Sequence, residues 1–487
     1  MKKLVSLVVV LLFPILALAQ VTDTTSAPKL LTLEDALRVA LSENASVKVA
    51  DMEIERTGYA RKGTYASLFP QISGSGSYQR TIKKQVMYMD FDMGGGFGGG
   101  DGAGSDAGSD AMPGGASAGA SSSAGGGFEV GRWNTWSAGI SAAMPLVNAQ
   151  LWESLKISDA DVELAVEKAR SSRLETVTQV KQAFFSCLLA REAFAVYRSV
   201  YENALENLGQ TQKKYNAQRA SELDLTRAKT TLSNAIPNVY DAESSVILAL
   251  WQLKAVMGVD LDENIDVAGS LGDYGRQMVS CEGAGLTLEN NSSLRQLAIQ
   301  AEQLADAVRV QQYAYLPTLS LSFNYSLNAM TNDFNFSEYR WSPYSFVGLS
   351  LSIPIFSGGQ RLNAVRQARV QAAELDIQRA NAERQLKIAI RQYLNQMETA
   401  NKSLGSAQSA LETAQKAYDI AARSYAVGRS TLTDLNDAQL ALTQSRLAVS
   451  QAIYNYVVAK SGLEGTLGAD FTASEGKIRL NNTYDNE

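Results

Sequence analysis

The chain has 487 residues, a net charge of −6 and no histidine. It therefore lacks the commonest general base and the commonest metal ligand, and its mildly acidic balance argues against a nucleic-acid partner. Only Cys187 and Cys281 are present, too few for a disulfide framework or a cysteine metal site.

Met1-Lys2-Lys3 precedes an apolar run from Leu4 to Leu18, with Ala17-Leu18-Ala19 at its end. A basic start, a short apolar core and an A-x-A site predict a secretory signal peptide over 1–19. Gln20 is then the expected mature start, and since it is not cysteine no lipid anchor is expected there. Beyond the leader no run is long and apolar enough for a transmembrane helix, so insertion into a membrane would fall to strands.

A first structural repeat is read over 20–257. Residues 20–30 look like an unstructured lead-in. Helical spacing begins at Leu31, with Thr32 and Asp35 as a cap pair. A second helix follows Asn44 and is ended near Ala66 by Leu68-Phe69-Pro70, because proline disfavours helix in the residue before it. Over 70–80, Ile72, Gly74, Gly76 and Tyr78 alternate with Ser73, Ser75 and Ser77, which is the period of a strand. Residues 94–127 contain 15 glycines in 34 positions. So little apolar surface cannot offset ordering entropy, so a long disordered loop is expected, joining two strands at their extracellular ends. Its glycines have no strand-to-helix setting for a phosphate, and Asp101, Asp106 and Asp110 do not repeat at a calcium-binding spacing.

A strand over 133–146 follows. From about 148 to 215 there is one glycine and no proline. The spacing predicts one helix of about 68 residues, roughly 100 Å long, of coiled-coil type. It breaks at 216–221, and a second helix over 222–257 is expected to kink at Pro237. Residues 258–285 read as a linker with a small mixed layer. Cys187 lies in a helical run and Cys281 in this linker, and two unpaired thiols are favoured over a disulfide, which stays open.

The second half, 286–470, repeats the first. Asn44, Pro70 and Tyr78 meet Asn291, Pro317 and Tyr325 at a constant offset of 247. Tyr215, Arg219, Asp224 and Leu225 meet Tyr425, Arg429, Asp434 and Leu435 at an offset of 210. An internal duplication is implied. It predicts strands over 317–328 and 344–356 and a second helix break at 426–431. Gln218 stands where the second copy has Gly428. The polar tail 471–487 closes the chain.

Each strand has one apolar face and one face of Ser, Thr, Asn or Gly. Strands of about 9–11 residues are long enough to span a bilayer. Four strands cannot close a barrel, and open edges cannot sit in lipid, so several copies would have to share one barrel. Trp133, Trp136, Tyr339, Trp341 and Tyr344 lie at the loop ends of the strands, where an aromatic girdle belongs. Ordinary sandwich-core aromatics are the alternative.

Leu68-Phe-Pro-Gln71, the run from Ser352 to Gly359 (Ser-Ile-Pro-Ile-Phe-Ser-Gly-Gly) and the run from Tyr425 to Asp437 resemble the TolC-like outer-membrane efflux proteins, over essentially the whole mature chain. The resemblance implies a mixed α/β membrane protein, a homotrimer whose twelve strands, four per chain, form one barrel in outer-membrane lipid. The barrel would continue into a long coiled-coil periplasmic tunnel, with an equatorial layer from 258–285 and the tail. The implied function is a passive exit duct for efflux or type I secretion, not an enzyme. Its partners would be a periplasmic adaptor and an inner-membrane transporter, with no cofactor or metal. Asp434 and Asp437 match the family's constricting aspartates. Tyr425 and Asp224 match residues that bond across the closed entrance. The family's gate arginine falls opposite Ser430, with Arg429 one position early. Arg219, Ser221, Gly428 and Thr431 lie at the two helix breaks, the expected adaptor-docking tip. A trimeric adhesin is the alternative, but its single C-terminal anchor does not match two internal strand pairs. A soluble coiled-coil scaffold would need no alternating strands.

Overall fold

The computed structural model describes residues 29–87, 128–276, 278 and 287–469. The leader 1–19, the loop 94–127, Cys281 and the tail 471–487 lie outside these residues, as does most of 277–286.

The first half runs β1 (Lys29–Leu31), α1 (Leu33–Glu43), α2 (Ala45–Ala66), β2 (Gln71–Arg80), β3 (Gln85–Met87), β4 (Phe128–Val130), β5 (Asn134–Val147), α3 (Ala149–Asn216) and α4 (Glu222–Met257). β6 (Ile265–Val267) and α5 (Leu271–Gly275) follow. The second half runs α6 (Ser292–Tyr313), β7 (Thr318–Thr331), β8 (Ser342–Ser352), α7 (Gln360–Ala426) and α8 (Leu432–Leu467). Matching elements have matching lengths: 22 residues in α2 and α6, 68 and 67 in α3 and α7, 36 in α4 and α8. The two halves are thus copies of one plan.

The described residues group into two units. One lies within Ala60–Ser158 and Asp306–Ala368 and carries a four-stranded antiparallel sheet in the order β2-β5-β7-β8. β3 and β4 form a separate ladder that pairs Met87 with Phe128. β8 ends at Ser352 rather than running on to 356. Pro354 has no N–H to give a ladder, and the flanking Ile353 and Ile355 are exposed.

The other unit is helical, apart from one short ladder. Its core gathers Leu37, Phe184, Leu188, Leu253, Met257, Val267 and Leu271, all at or below 1 % exposure. The lead-in is not wholly unstructured. Residues 29–31 pair in parallel with 265–267, and Leu31 and Val267 are buried in the core. Three residues are too few to show a period, so burial of Leu31 decides the matter. Thr32 caps α1, accepting from the Asp35 N–H. Cys187 is buried in this core, and burial first, with Asp266 adding, pushes its thiol up to about 12.

Pro237 sits inside α4, which remains one helix. Pro237 and Ser233, whose carbonyl loses its donor, are both exposed, so water can replace the missing bond.

Two joints position the helices. At the first, the Asn44 side chain accepts from the Ser46 N–H at 2.7 Å and donates to the Val256 carbonyl at 2.6 Å. It starts α2 and closes α4 at once, satisfying orphan groups at two helix ends that meet head to tail. At the second, Asn291 accepts from the Leu294 N–H at 3.0 Å and donates to the Thr466 carbonyl at 2.6 Å. Gly258 and Gly468 end α4 and α8 in the left-handed conformation, at φ 75° and 69°. A Cβ on Gly258 would lie 2.6 Å from the Glu43 carbonyl oxygen, so only glycine fits.

Candidate functional site

The register sorts the sheet into two faces. Ile72, Ala142, Phe323 and Val347 follow one another across the four strands, as pairs Ile72–Ala142, Ala142–Phe323 and Phe323–Val347. Ile140–Tyr325, Leu321–Leu349 and Leu319–Leu351 lie on the same face. Val347, Leu349 and Ile72 are 71, 68 and 73 % exposed. The opposite face pairs serines: Ser73 with Ser141 and Ser77 with Ser137, hydroxyls 2.9 and 2.7 Å apart, and Ser320 with Ser350. Among the described residues β2 and β8 each have one strand neighbour and one free edge. No helix of the described residues is long and apolar enough to cross a membrane.

The expected girdle residues do not share one environment. Trp136 lies on the apolar face, its ring 4.3 Å from Tyr78 and 4.8 Å from Phe336. Tyr339 is buried beside Phe336 and donates to the Asp333 carbonyl at 2.9 Å. Trp133, just before β5, is exposed and carries the Lys84 ammonium over its ring at 4.7 Å. Trp341, just before β8, is exposed. Tyr344 does not share the face of Trp136. It pairs with Ser326 and so belongs to the serine face, together with Phe346. Position 344 has the parity of Ser350 and Ser352, and β8 keeps an unbroken register with β7 from Ser342 to Ser352, so its side chains alternate throughout.

The two helix breaks have one design. At the first, Gln218 N–H donates to the Tyr215 carbonyl at 2.9 Å and Arg219 N–H to Lys214 at 2.8 Å. At the second, Gly428 N–H donates to Tyr425 at 3.1 Å and Arg429 N–H to Ser424 at 2.8 Å. This paired closure requires a left-handed residue, supplied by Gln218 at φ 57° and Gly428 at φ 80°. Ser221 and Thr431 then cap α4 and α8 in reciprocal boxes with Asp224 and Asp434. The Asp224 carboxylate accepts from the Ser221 hydroxyl at 2.7 Å, so its bonds are local. The Thr431 hydroxyl, at 2.7 Å, and its N–H hold the Asp434 carboxyl below the usual aspartate value. Asp434 and Asp437 are both exposed, three residues apart on one side of α8. Arg219 and Arg429 are exposed.

Tyr425 is the buried residue of the group. It packs with Ala228, Leu432 and Leu435. Its hydroxyl lies 2.6 Å from Thr211 Oγ1. Thr211 gives its own proton to the Asn207 carbonyl, so Tyr425 donates and Thr211 accepts. The Lys214 ammonium hydrogen-bonds the Tyr425 main-chain oxygen and sits 3.9 Å from the ring centroid. Burial pulls the Lys214 pKa down. Sequence reasoning missed Thr211 and Lys214. The usable sign was a difference between the repeats: their counterparts are Ala421 and Ser424, and Tyr215, the counterpart of Tyr425, is exposed.

Comparison with known proteins gives a consistent result. The family model described as outer membrane efflux protein matches residues 36–259 and 284–469. The chain is 22 % identical to outer membrane protein TolC of Escherichia coli, over 69 % of this chain and 70 % of that one. It is 24 % identical to the alkaline protease secretion protein AprF of Pseudomonas aeruginosa, over 66 % and 67 %. Its fold resembles the CmeC outer membrane channel of Campylobacter jejuni, with a TM-score of 0.68 at 18 % identity over 91 % of this chain and 87 % of that one.

Proposed function

Because the chain belongs to the outer membrane efflux protein family, we propose that three copies close one twelve-stranded barrel, making it the exit duct of an efflux or type I secretion system. It resides in the outer membrane. Transport through it is passive, so its energy comes from an inner-membrane transporter reached through a periplasmic adaptor.

The observation that carries the barrel is the sheet itself. One chain supplies four strands of 10, 14, 14 and 11 residues, a bare apolar face, a serine face and two free edges. Backbone groups at a free edge cannot be left unsatisfied in hydrocarbon. Joining β8 of one copy to β2 of the next removes every edge, turns the apolar face to lipid and encloses a hydrophilic lumen.

The helical unit then forms the periplasmic tunnel. The turns at 216–221 and 426–431, with Arg219, Ser221, Gly428 and Thr431, form the end that meets the adaptor. Asp434 and Asp437 from three copies ring the constriction, with Tyr425 behind them and Asp224 and Arg429 at the same end.

The test is assembly. In detergent the protein should have the mass of three chains. Cysteines scanned along Ser73, Ser75 and Ser77 of β2 should form disulfides with one at Ser350 of β8 in a neighbouring copy. A single-chain mass with no β2–β8 crosslink would overturn the shared barrel.

A further inference from the structure

The two ends of the four-stranded sheet differ in charge. At one end the strands run into helices, and the links 67–70, 148, 314–317 and 353–359 contain no charged residue. At the other end β2 passes to β3 and β4 to β5. There 79–87 and 128–134 carry Arg80, Lys83, Lys84 and Arg132 against one acid, Glu129. The Thr81 N–H donates to the Trp133 carbonyl at 2.8 Å, which ties the two links side by side. Arg80, Lys83 and Arg132 are exposed, and Lys84 is half-buried.

Two of these cations are placed by rings. The Arg80 guanidinium lies 5.8 Å from the ring centroid of Phe334, and the Lys84 ammonium 4.7 Å from that of Trp133. A ring face attracts a cation but brings no negative charge to neutralise it. Among the described residues no carboxylate pairs with any of the four.

Their place on the sheet says what meets them. Tyr78, beside Trp136, and Arg80 have the parity of Ile72, so they share the apolar face. Arg80 is two residues beyond Tyr78, about 7 Å further along the strand. Apolar side chains, then aromatic rings, then a cation is the order met on leaving hydrocarbon for the head groups of a bilayer. Ile82, between Arg80 and Lys83, is 95 % exposed. An apolar side chain beside several unpaired cations fits a ligand that is both acylated and phosphorylated.

We propose that this end of the sheet binds the phosphate of an acylated lipid in the outer leaflet. Arg80 and Lys84 hold the phosphate through charge-assisted hydrogen bonds, and Lys83 and Arg132 add attraction. Ile82 meets the acyl chains. The uncharged opposite end can make no such bond, so the site anchors one end of the sheet only. It rests on the reading of this sheet as a wall of the outer-membrane barrel.

The experiment adds bisphosphorylated lipid A to the full-length protein in detergent. Native mass spectrometry then reads bound lipid and the number of chains in one spectrum. Fully dephosphorylated lipid A should bind about a hundredfold more weakly, as should lipid A to Arg80→Gln with Lys84→Gln, about tenfold for each charge-assisted bond lost. Arg366→Gln with Arg369→Gln, exposed on α7, removes the same charge and should change nothing. Lys83→Gln with Arg132→Gln leaves both ring contacts in place and gives a second route, with a loss of about tenfold. Equal binding of the two lipids, or wild-type binding in both patch variants at the mass of three chains, overturns the site. Displacement of lipid A by an equal concentration of inorganic phosphate overturns the lipid as its ligand. A single-chain mass for the wild type overturns the barrel reading and the site together.

Discussion

The side-chain amide of Asn44 donates to the main-chain oxygen of Val256 at 2.6 Å, while its carbonyl receives the N–H groups of Ser46 and Val47. One residue thereby ends α4 and begins α2. Asn291 and Thr466 repeat the relationship at the end of α8. Asn44→Ala should cost about 2 kcal/mol, combining a lost cap with a carbonyl left short of a donor. Gly258→Ala should cost more, since a Cβ meets the Glu43 carbonyl oxygen at 2.6 Å and φ is positive. Thermal unfolding in detergent checks both. An unchanged melting temperature for Gly258→Ala would show that the joint is not load-carrying.

Gln218 occupies a left-handed position that its counterpart fills with glycine. The Cβ makes that conformation cost about 1 kcal/mol or more. Gln218→Gly should stabilise the first turn by about 1 kcal/mol, and Gly428→Gln should destabilise the second by a similar amount. Hydrogen exchange at 214–219 and 424–429 reads each turn separately. Faster exchange in Gln218→Gly would contradict the strain argument.

Replacing Asp434 and Asp437 with Ala should abolish block of the duct by divalent and trivalent cations in planar bilayers. Acid should do the same to the wild type, with a defined sign. Thr431 lowers the Asp434 pKa in the folded protein. The capping contribution is therefore fully present above the ordinary aspartate value and is lost as pH falls through the lowered one. Thr431→Val removes the hydroxyl, so cation block should fade at a higher pH than in the wild type. An acid edge that stays in place would detach Thr431 from the titration.

The glycine-rich segment 94–127 should be dispensable. The chain leaves at Met87 and returns at Phe128, and these two residues are paired across the β3–β4 ladder. Their spacing is fixed by the ladder, so the connection needs no particular length, and a few residues suffice for a hairpin. Deletion of 94–127 should leave oligomer mass and heat stability in detergent unchanged. Failure to assemble would give the segment a structural role.

The sheet and the duplication were legible because both are periodic. Alternation from Leu319 to Leu327 and from Val347 to Leu351 fixes which side chains share a face, and the register carries the pattern across all four strands. The same parity puts Tyr344 on the serine face. The girdle expectation for Tyr344 used position along the strand and not its parity. The cap at Thr32 follows a local Thr-x-x-Asp spacing and appears as read, and the same local spacing at Ser221 and Thr431, not read as caps, also caps a helix. What is not periodic or local was illegible. The β1–β6 ladder has three pairs. The contacts of Thr211 and Lys214 with Tyr425 span more than 200 positions and have no counterpart in the other repeat.

The free edges of β2 and β8 also bear on how the protein is made. A newly exported copy reaches the end of its own folding with two strands still offering N–H and C=O groups, and with an apolar face in water. Such edges recruit any strand that drifts past, so in the proposed shared barrel they stay open until sister copies cover them. Completion then depends on how many copies are in transit, as for any fold inseparable from its association. A truncated copy that keeps β2 but lacks β8 would join a partner at one end and leave the ring open at the other. Synthesised beside the intact chain, it would poison assemblies in proportion to its dose.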